Sequence, residues 1–282
     1  QGAWHTGLYR DLFVESGRHT ASESAAKVEV AFQQLFHGRQ DTEALFYWTD
    51  ASEVEAYILS VDQQDVRSEG MSYGMMIAVQ LDKRREFDAL FHFAKRHMQH
   101  TDPTDPRFGY FAWHVRPTGQ ILDPNPASDG EVYMTTALFF AASRWGKPPA
   151  GATGWDYEAE ANLILHACTH KEDGGGGGRI RSGVTNMFSS AEAQVVFVPS
   201  GDSAKFTDPS CACVVHCELF TPCCFLLTPP LRVPLVLSDH LPAFSTVWAV
   251  QANENNRFWS RVANRSRSFF RDTTNGVTGL CP

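Results

Sequence analysis

The sequence has 282 residues, of which 43% are apolar and 20% charged, and its formal net charge is -8. This composition is typical of a folded globular protein and excludes a disordered chain. A nucleic-acid-binding protein would carry a cationic surface that displaces counterions from phosphates, and the acidic balance argues against one. We therefore expect a neutral ligand and no nucleic-acid partner.

Five stretches place apolar residues at helical spacing, and the first follows Thr20 and Glu23, which have the spacing of a capping box. In chain order the apolar positions are Val28, Ala31, Phe32, Leu35 and Phe36; Phe87, Leu90, Phe91, Ala94 and Met98; Tyr133, Ala137, Phe140 and Ala141; Tyr157, Ala161, Ile164, Leu165 and Cys168; and Phe258, Val262, Phe269 and Phe270. Strand-like runs are short, at 57–61 and 194–198. The pattern predicts a mostly α-helical protein with long loops, where functional residues tend to lie.

Two segments interrupt this pattern. The glycine run 174–178 predicts a surface loop, since the Lys and Ser/Thr of a phosphate-binding loop do not follow it. Segment 211–239 shifts abruptly to Cys, Pro, Leu and Val. Its apolar part, 219–237, is as long as a membrane span, but several prolines and Arg232 argue against one. We therefore expect no membrane partner.

Glu69 is the first candidate catalytic residue. Gly70 and Gly74 permit close backbone approach and an apolar run follows, so Glu69 lies near a loop-to-helix junction among apolar side chains. Desolvation raises the pKa of a carboxyl group in such surroundings, as a general acid near neutral pH requires. The alternative, commoner on composition alone, is a structural role in which Glu69 caps the helix or pairs with Arg67.

Asp129 is the second candidate, placed by a rigid Pro- and Gly-containing turn just ahead of a predicted helix. It is either a carboxylate directed into a cleft beside Glu69 or an N-cap residue, a role worth about 1 kcal/mol. An aromatic cluster on a predicted loop, 108–114, lies between the two candidates in the sequence. Aromatic faces stack on sugar rings, but for Phe108 and Phe111 we expect ordinary core packing.

These motifs together resemble glycoside hydrolase family 8, and most of all its reducing-end xylose-releasing exo-oligoxylanases. The residues that carry the resemblance are Arg67-Ser68-Glu69-Gly70-Met71-Ser72-Tyr73-Gly74-Met75, Tyr110-Phe111-Ala112-Trp113 and Asn125-Pro126-Ala127-Ser128-Asp129-Gly130-Glu131, with the opening 2–10 and Phe206-Thr207-Asp208-Pro209-Ser210 also similar. The likeness covers roughly 2–210 and 240–280.

The resemblance implies an all-α (α/α)6 toroid that hydrolyses β-1,4-linked sugars with inversion. In that scheme Glu69 is the general acid and Asp129 is the carboxylate that holds the distorted sugar. Trp113 and Tyr110 would bind the substrate. The general base is expected beyond Pro282, and the mechanism requires no metal or other cofactor.

Two departures from the family bear on activity. Segment 211–239 separates Ser210 from the continuation at His240, where the family places a Tyr beside the attacking water. The segment looks like translated non-coding sequence, and the spacing of its five cysteines disfavours the rival explanation, a zinc site. The family also continues past the position of Leu280, so we expect one catalytic domain over 1–282, truncated at the C-terminus, with 211–239 as an atypical insertion.

The predicted function is therefore hydrolysis of β-1,4-linked xylo-oligosaccharides or a related β-1,4 glucan. The alternative is an inactive carbohydrate-binding or defective fragment that lacks the base. The expected partner is an oligosaccharide, and we expect a monomer. Secretion and a cytoplasmic location remain equally open.

Overall fold

Helices dominate the computed structural model, which describes residues 10–149, 154–173, 183–205, 207 and 241–273. The helices are α1 (Leu12–Glu15), α2 (Ala21–His37), α3 (Ser68–Gln80), α4 (Arg84–Phe93), α5 (Ser128–Trp145), α6 (Tyr157–Thr169), α7 (Pro242–Gln251) and α8 (Asn256–Thr273), with a π-helical turn at Ala94–Met98 and a 3-10 turn at Gly201–Lys205. The strands are β1 (Phe46–Trp48), β2 (Ala56–Ile58), β3 (Val66–Arg67), β4 (His114–Val115), β5 (Ile121–Asp123), β6 (Phe188–Ser189) and β7 (Gln194–Val195).

The helices alternate between an inner and an outer layer. The inner helix α3 packs against α5, which in turn packs against α7. Helices α3 and α5 bury side chains on most of their circumference, whereas the outer helix α4 has one apolar face. Each inner helix contacts the outer helix that follows it in the chain: α3 contacts α4, α5 contacts α6, and α7 contacts α8. This succession of inner and outer helices is the repeat expected of the predicted toroid.

Helix α2 begins with the predicted capping box. Thr20 Oγ1 accepts a hydrogen bond from the Glu23 amide at 3.2 Å, and the Glu23 carboxylate accepts one from the Thr20 amide at 2.8 Å. Its predicted apolar face is only half confirmed. Phe36 is buried and its ring lies 5.2 Å from that of Phe46 in β1, but Val28 is 46% exposed. Only the C-terminal half of α2 therefore rests on the core.

The other predicted faces are confirmed. All five positions from Phe87 to Met98 are buried, as are all five from Tyr157 to Cys168. In α5, Ala137 and Ala141 are buried, with Tyr133 and Phe140 half-buried beside them; in α8, Val262 and Phe269 are buried, with Phe258 and Phe270 half-buried. The helical periodicity of the sequence thus locates the faces that form the core.

The strands form three small antiparallel sheets, β1–β2, β3–β4–β5 and β6–β7. The strand-like runs 57–61 and 194–198 correspond to β2 and β7, both shorter than predicted. Sheet β3–β4–β5 was not predicted, because strands of two or three residues show no alternation. It is the sheet that matters for the site, since β3 leads directly into α3 and β4 follows Trp113.

Several predictions concern residues outside the described ranges. These are the opening at 2–9, the glycine run 174–178, residues 206 and 208–210 of the family-like segment, segment 211–239 with its cysteines and its apolar part, and the continuation at 240. Among the described helices, none combines the length and the apolar composition needed to cross a membrane.

Candidate active site

Helices α3 and α5 begin side by side, and Gly130 allows their contact. A Cβ atom added to Gly130 would lie 2.4 Å from Ser68 Oγ and 2.7 Å from Ser68 Cβ. Ser68 and Ser128 are the first residues of the two helices, so Glu69 and Asp129 each occupy the second position. Both candidate carboxyl groups therefore lie in the first turn of adjacent inner helices, where the helix dipole stabilises negative charge.

Asp129 is largely buried, with 6% of its surface exposed. Its Oδ1 accepts a hydrogen bond from the Gly130 amide at 2.7 Å. Burial and the negative charge of Glu69 raise the pKa of Asp129 to about 6. The N-cap of α5 is Ala127 and makes no side-chain cap, so the N-cap alternative for Asp129 is wrong. Asp129 lies inside the first turn and within electrostatic reach of Glu69.

Glu69 is half-buried. The structural alternatives for this residue are not observed: Arg67 donates from Nε to Asp65 Oδ1 at 3.1 Å, and the N-cap of α3 is Arg67 itself. Tyr73 lies one turn along α3, and its hydroxyl is within electrostatic reach of the Glu69 carboxylate. Burial and the charges of Glu69 and Asp129 raise the pKa of Tyr73, so its hydroxyl remains a donor.

Aromatic side chains continue from Tyr73 toward α7. The rings of Tyr73 and Tyr133 meet edge to face with centroids 4.7 Å apart, and Tyr133 meets Phe244 in the same way at 4.9 Å. The sequence indicated Tyr133 only as a core position, and Tyr73 was quoted only as part of the Glu69 motif. The signal that could have identified Tyr73 is its i, i+4 spacing from Glu69, which puts both side chains on one face of the helix.

Trp113 lies on a loop that is fastened to the start of α3. Its carbonyl accepts a hydrogen bond from the Ser68 amide at 2.9 Å, and its own amide donates to the Asn125 carbonyl at 2.8 Å. The side chain is half-buried, and the guanidinium of Arg67 lies 5.9 Å from the ring centroid. The Trp113 backbone is thus held at the start of α3, which carries Glu69, and part of the side chain is open.

Tyr110 and Phe108 differ from their predicted roles. Tyr110 is fully buried and its hydroxyl donates to the Thr185 carbonyl at 3.1 Å, so it has no open face on which a sugar could stack. Its role is core packing, and the substrate-binding prediction for Tyr110 is contradicted. Phe108, expected in the core, is 46% exposed, whereas Phe111 is buried as predicted. Within this cluster only Trp113 keeps both an exposed surface and a position at the site.

The buried carboxylate of Asp65 supports the loop that carries Trp113. Buried Asp65 accepts hydrogen bonds from Arg67 and lies 2.7 Å from His114 Nε2. This carboxylate therefore links β3 to β4. The two strands pair at Arg67–His114 and Val66–Val115. Sequence reasoning did not assign a role to Asp65, which lies two residues before the Glu69 motif.

The sequence likewise did not predict a separate role for Glu131. It is 1% exposed; its Oε1 accepts a hydrogen bond from the Phe111 amide at 3.0 Å, while Oε2 is buried and has no partner within the described part of the chain. Burial raises the pKa of Glu131 well above its usual range, which favours the uncharged acid. A buried carboxyl so close to Asp129 thus serves as an anchor for the aromatic loop.

Comparison with known proteins identifies the class to which this fold and site belong. Residues 59–200, which include both candidate carboxyl groups and Trp113, match Glycosyl hydrolases family 8. The chain belongs to this family. The predicted fold class, an all-α (α/α)6 toroid, is confirmed by the match and by the solved relatives.

Two curated relatives are named for the same activity. The chain is 38% identical, over its whole length, to the reducing-end xylose-releasing exo-oligoxylanase Rex8A of Paenibacillus barcinonensis, and covers 62% of that protein. It is 32% identical, again over its whole length, to the corresponding enzyme of Halalkalibacterium halodurans, of which it covers 61%. A structure of Rex8A complexed with xylose superposes with a TM-score of 0.77 at 37% identity, over 100% of this chain and 63% of Rex8A. The chain thus spans about three-fifths of the length of these relatives.

Proposed function

We propose that this protein is a glycoside hydrolase that cleaves β-1,4-linked xylo-oligosaccharides with inversion of the anomeric configuration. The observation that carries the proposal is the pair of carboxyl groups at the adjacent N-termini of α3 and α5. The charge of Glu69 contributes to the raised pKa of Asp129, and the backbone of half-buried Trp113 is hydrogen-bonded to the start of α3. We also propose that residues 1–282 belong to one catalytic domain.

Glu69 is the proposed general acid. Its half-buried side chain is open enough to meet a glycosidic oxygen, and the Tyr73 hydroxyl, within electrostatic reach, can donate to the carboxylate. An acid in this position protonates the leaving oxygen as the bond to the anomeric carbon breaks. Tyr73 is the proposed positioning residue for that carboxyl group.

Asp129 is the proposed carboxylate that holds the distorted sugar. Its raised pKa, about 6, means that it exchanges protons close to neutral pH, and its charge state is tied to that of Glu69. Inversion also requires a base about 6.5–9.5 Å from the acid, so that a water molecule fits between them.

The activities named for the relatives favour xylose units as the substrate. Both curated relatives are described as releasing xylose from the reducing end, and the solved relative carries xylose. In this chain, Trp113 is the proposed sugar-stacking residue. Its indole is the open aromatic surface that the described loop presents beside Glu69 and Asp129.

The proposal is tested by comparing the wild-type chain with Glu69→Gln on two substrates. Xylotriose has a poor leaving group that needs protonation, whereas a xylobiosyl fluoride does not. In a wild-type protein that includes the general base, we expect hydrolysis of both substrates, and Glu69→Gln should lose activity on xylotriose while retaining much of it on the fluoride. Glu192→Gln, at an exposed position, is the matched control and should behave as wild type.

Two results would contradict parts of this proposal. Loss of activity on both substrates in Glu69→Gln would contradict the general-acid role. A wild-type chain that binds xylotriose by calorimetry but hydrolyses neither substrate would favour the carbohydrate-binding alternative over the enzyme.

A further inference from the structure

A cluster of metal-ligating side chains lies on the outer layer, away from the two carboxyl groups. His166 and His170 occupy positions i and i+4 at the C-terminal end of α6, and Glu254 lies in the turn between α7 and α8. One potential ligand atom from each of the three residues lies within 4.8 Å of the others. The cluster therefore joins two elements that are far apart in the sequence.

The individual distances are short. His166 Nδ1 lies 2.8 Å from a Glu254 carboxylate oxygen, and His170 Nδ1 lies 3.8 Å from the same oxygen. His170 Nδ1 also lies 3.0 Å from the His166 carbonyl and 2.8 Å from Thr169 Oγ1, and an ion bound at this nitrogen would replace those contacts. Asp173, just after α6, places a carboxylate oxygen 3.7 Å from His170 Nε2. Two imidazoles and one or two carboxylates are a donor set that suits zinc, which binds such ligands at about 2.0–2.2 Å in tetrahedral geometry.

The position in the helix adds a second argument. The C-terminal end of an α-helix carries partial negative charge, which favours a bound cation. The i, i+4 spacing brings two histidines onto one helical face, as in helical zinc-binding motifs. Lys95 and Lys171 line the adjacent cavity, where a free ammonium group would repel a cation. Lys95 is paired with Glu160 at 2.9 Å, and Lys171 Nζ lies over the Tyr110 ring.

We propose that His166, His170 and Glu254 bind a zinc ion that ties the end of α6 to the α7–α8 turn. The two imidazole rings now stack nearly in parallel, with centroids 4.0 Å apart and planes 12° from each other. Lone pairs of parallel rings do not converge on one point, so binding turns at least one ring about χ2. His166, whose side chain is 58% exposed, has the room to do so. Water completes the coordination, and Asp173, which lies on the Nε2 side of His170, can orient that ring.

The experiment is a calorimetric titration of the metal-free full chain with zinc chloride. Thiols are first alkylated, because the cysteines of 211–224 would otherwise compete for the metal. We expect one equivalent to bind to wild type and to raise the melting temperature, since the ion binds the folded state. Magnesium chloride should give neither effect, because Mg²⁺ prefers oxygen ligands.

Three variants decide the assignment. His170→Ala should abolish the zinc-dependent rise in melting temperature, and Glu254→Gln, a change at a partly exposed position, should weaken binding by about tenfold or more. His19→Ala, at an exposed histidine outside the cluster, should bind as wild type does. Absence of zinc binding by wild type, or equal binding by all variants, would overturn the proposal. The readout is binding and melting, so it is independent of whether the chain hydrolyses sugars.

Discussion

Gly130 in α5 lies directly against Ser68, the first residue of α3, at a separation that leaves no room for a Cβ atom. The contact lies between Glu69 and Asp129, each of which is adjacent in sequence to one of the two residues. The spacing of the candidate carboxyl groups is therefore set by backbone packing, in addition to side-chain hydrogen bonds.

Gly130→Ala should destabilise the protein by about 1–3 kcal/mol, because the added methyl group forces the two helix ends apart. Urea unfolding measures the loss. Gly70→Ala is the matched control: its Cβ would meet Ile58 at 3.4 Å, an ordinary contact, and helix propensity favours Ala over Gly. Ser68→Gly combined with Gly130→Ala should recover much of the stability. Equal effects of the two single alanine variants would contradict the packing argument.

The raised pKa of Asp129 predicts how stability changes with pH. The folded state holds this proton up to a pH of about 6, whereas the unfolded chain releases it near 3.8, so stability falls as the pH rises through this interval. The interval corresponds to about 3 kcal/mol. Asp129→Asn should remove this contribution, so that its unfolding free energy changes less between pH 4 and 7. The exposed Glu192→Gln should leave the wild-type profile intact, and an unchanged profile in Asp129→Asn would refute the coupling.

Glu131→Gln should fold, and its unfolding free energy should depend less on pH than that of wild type. The amide oxygen still accepts the Phe111 N–H, and a neutral group replaces a carboxyl whose ionisation is opposed by burial. Wild type should lose stability as the pH rises above about 4.5, and Glu131→Gln should lose less. Glu131→Ala, which leaves the Phe111 amide unpaired, should cost about 1–3 kcal/mol at every pH. Urea unfolding at pH 5 and pH 8 compares the three proteins.

Trp113→Ala should weaken substrate binding, whereas Tyr110→Phe should lower stability. If the indole stacks on a sugar, its loss should weaken xylotriose binding by about 1.4 kcal/mol, or roughly tenfold. Tyr110→Phe removes only a buried hydrogen bond, so it should lower stability by about 1 kcal/mol and leave binding unchanged. Calorimetric titration and urea unfolding of both variants make the comparison. Weakened binding in Tyr110→Phe alone would reverse the assignment.

The sequence predicted the helices well because their cores repeat every three to four residues, as at Phe87 and Leu90. It predicted the neighbourhood of Glu69 and Asp129 from local motifs. It could not place Tyr110, since an aromatic residue on a loop has the same sequence signature whether its ring is buried or open. The Asp65–His114 contact was also beyond prediction, because it joins residues 49 positions apart.

The π-helical turn at Ala94–Met98 sets the direction of the chain that leaves α4. A π-turn accommodates one residue more than an α-turn, so deletion of a single codon there would restore a regular helix. Because the turn absorbs its extra residue locally, the helix on either side would keep its register after such a deletion. The contact of His97 with Glu55 and the hydrogen bond from the Ala112 amide to the Met98 carbonyl lie at this turn. A one-residue length change here would thus be confined to the turn and would not reach the loop that carries Trp113.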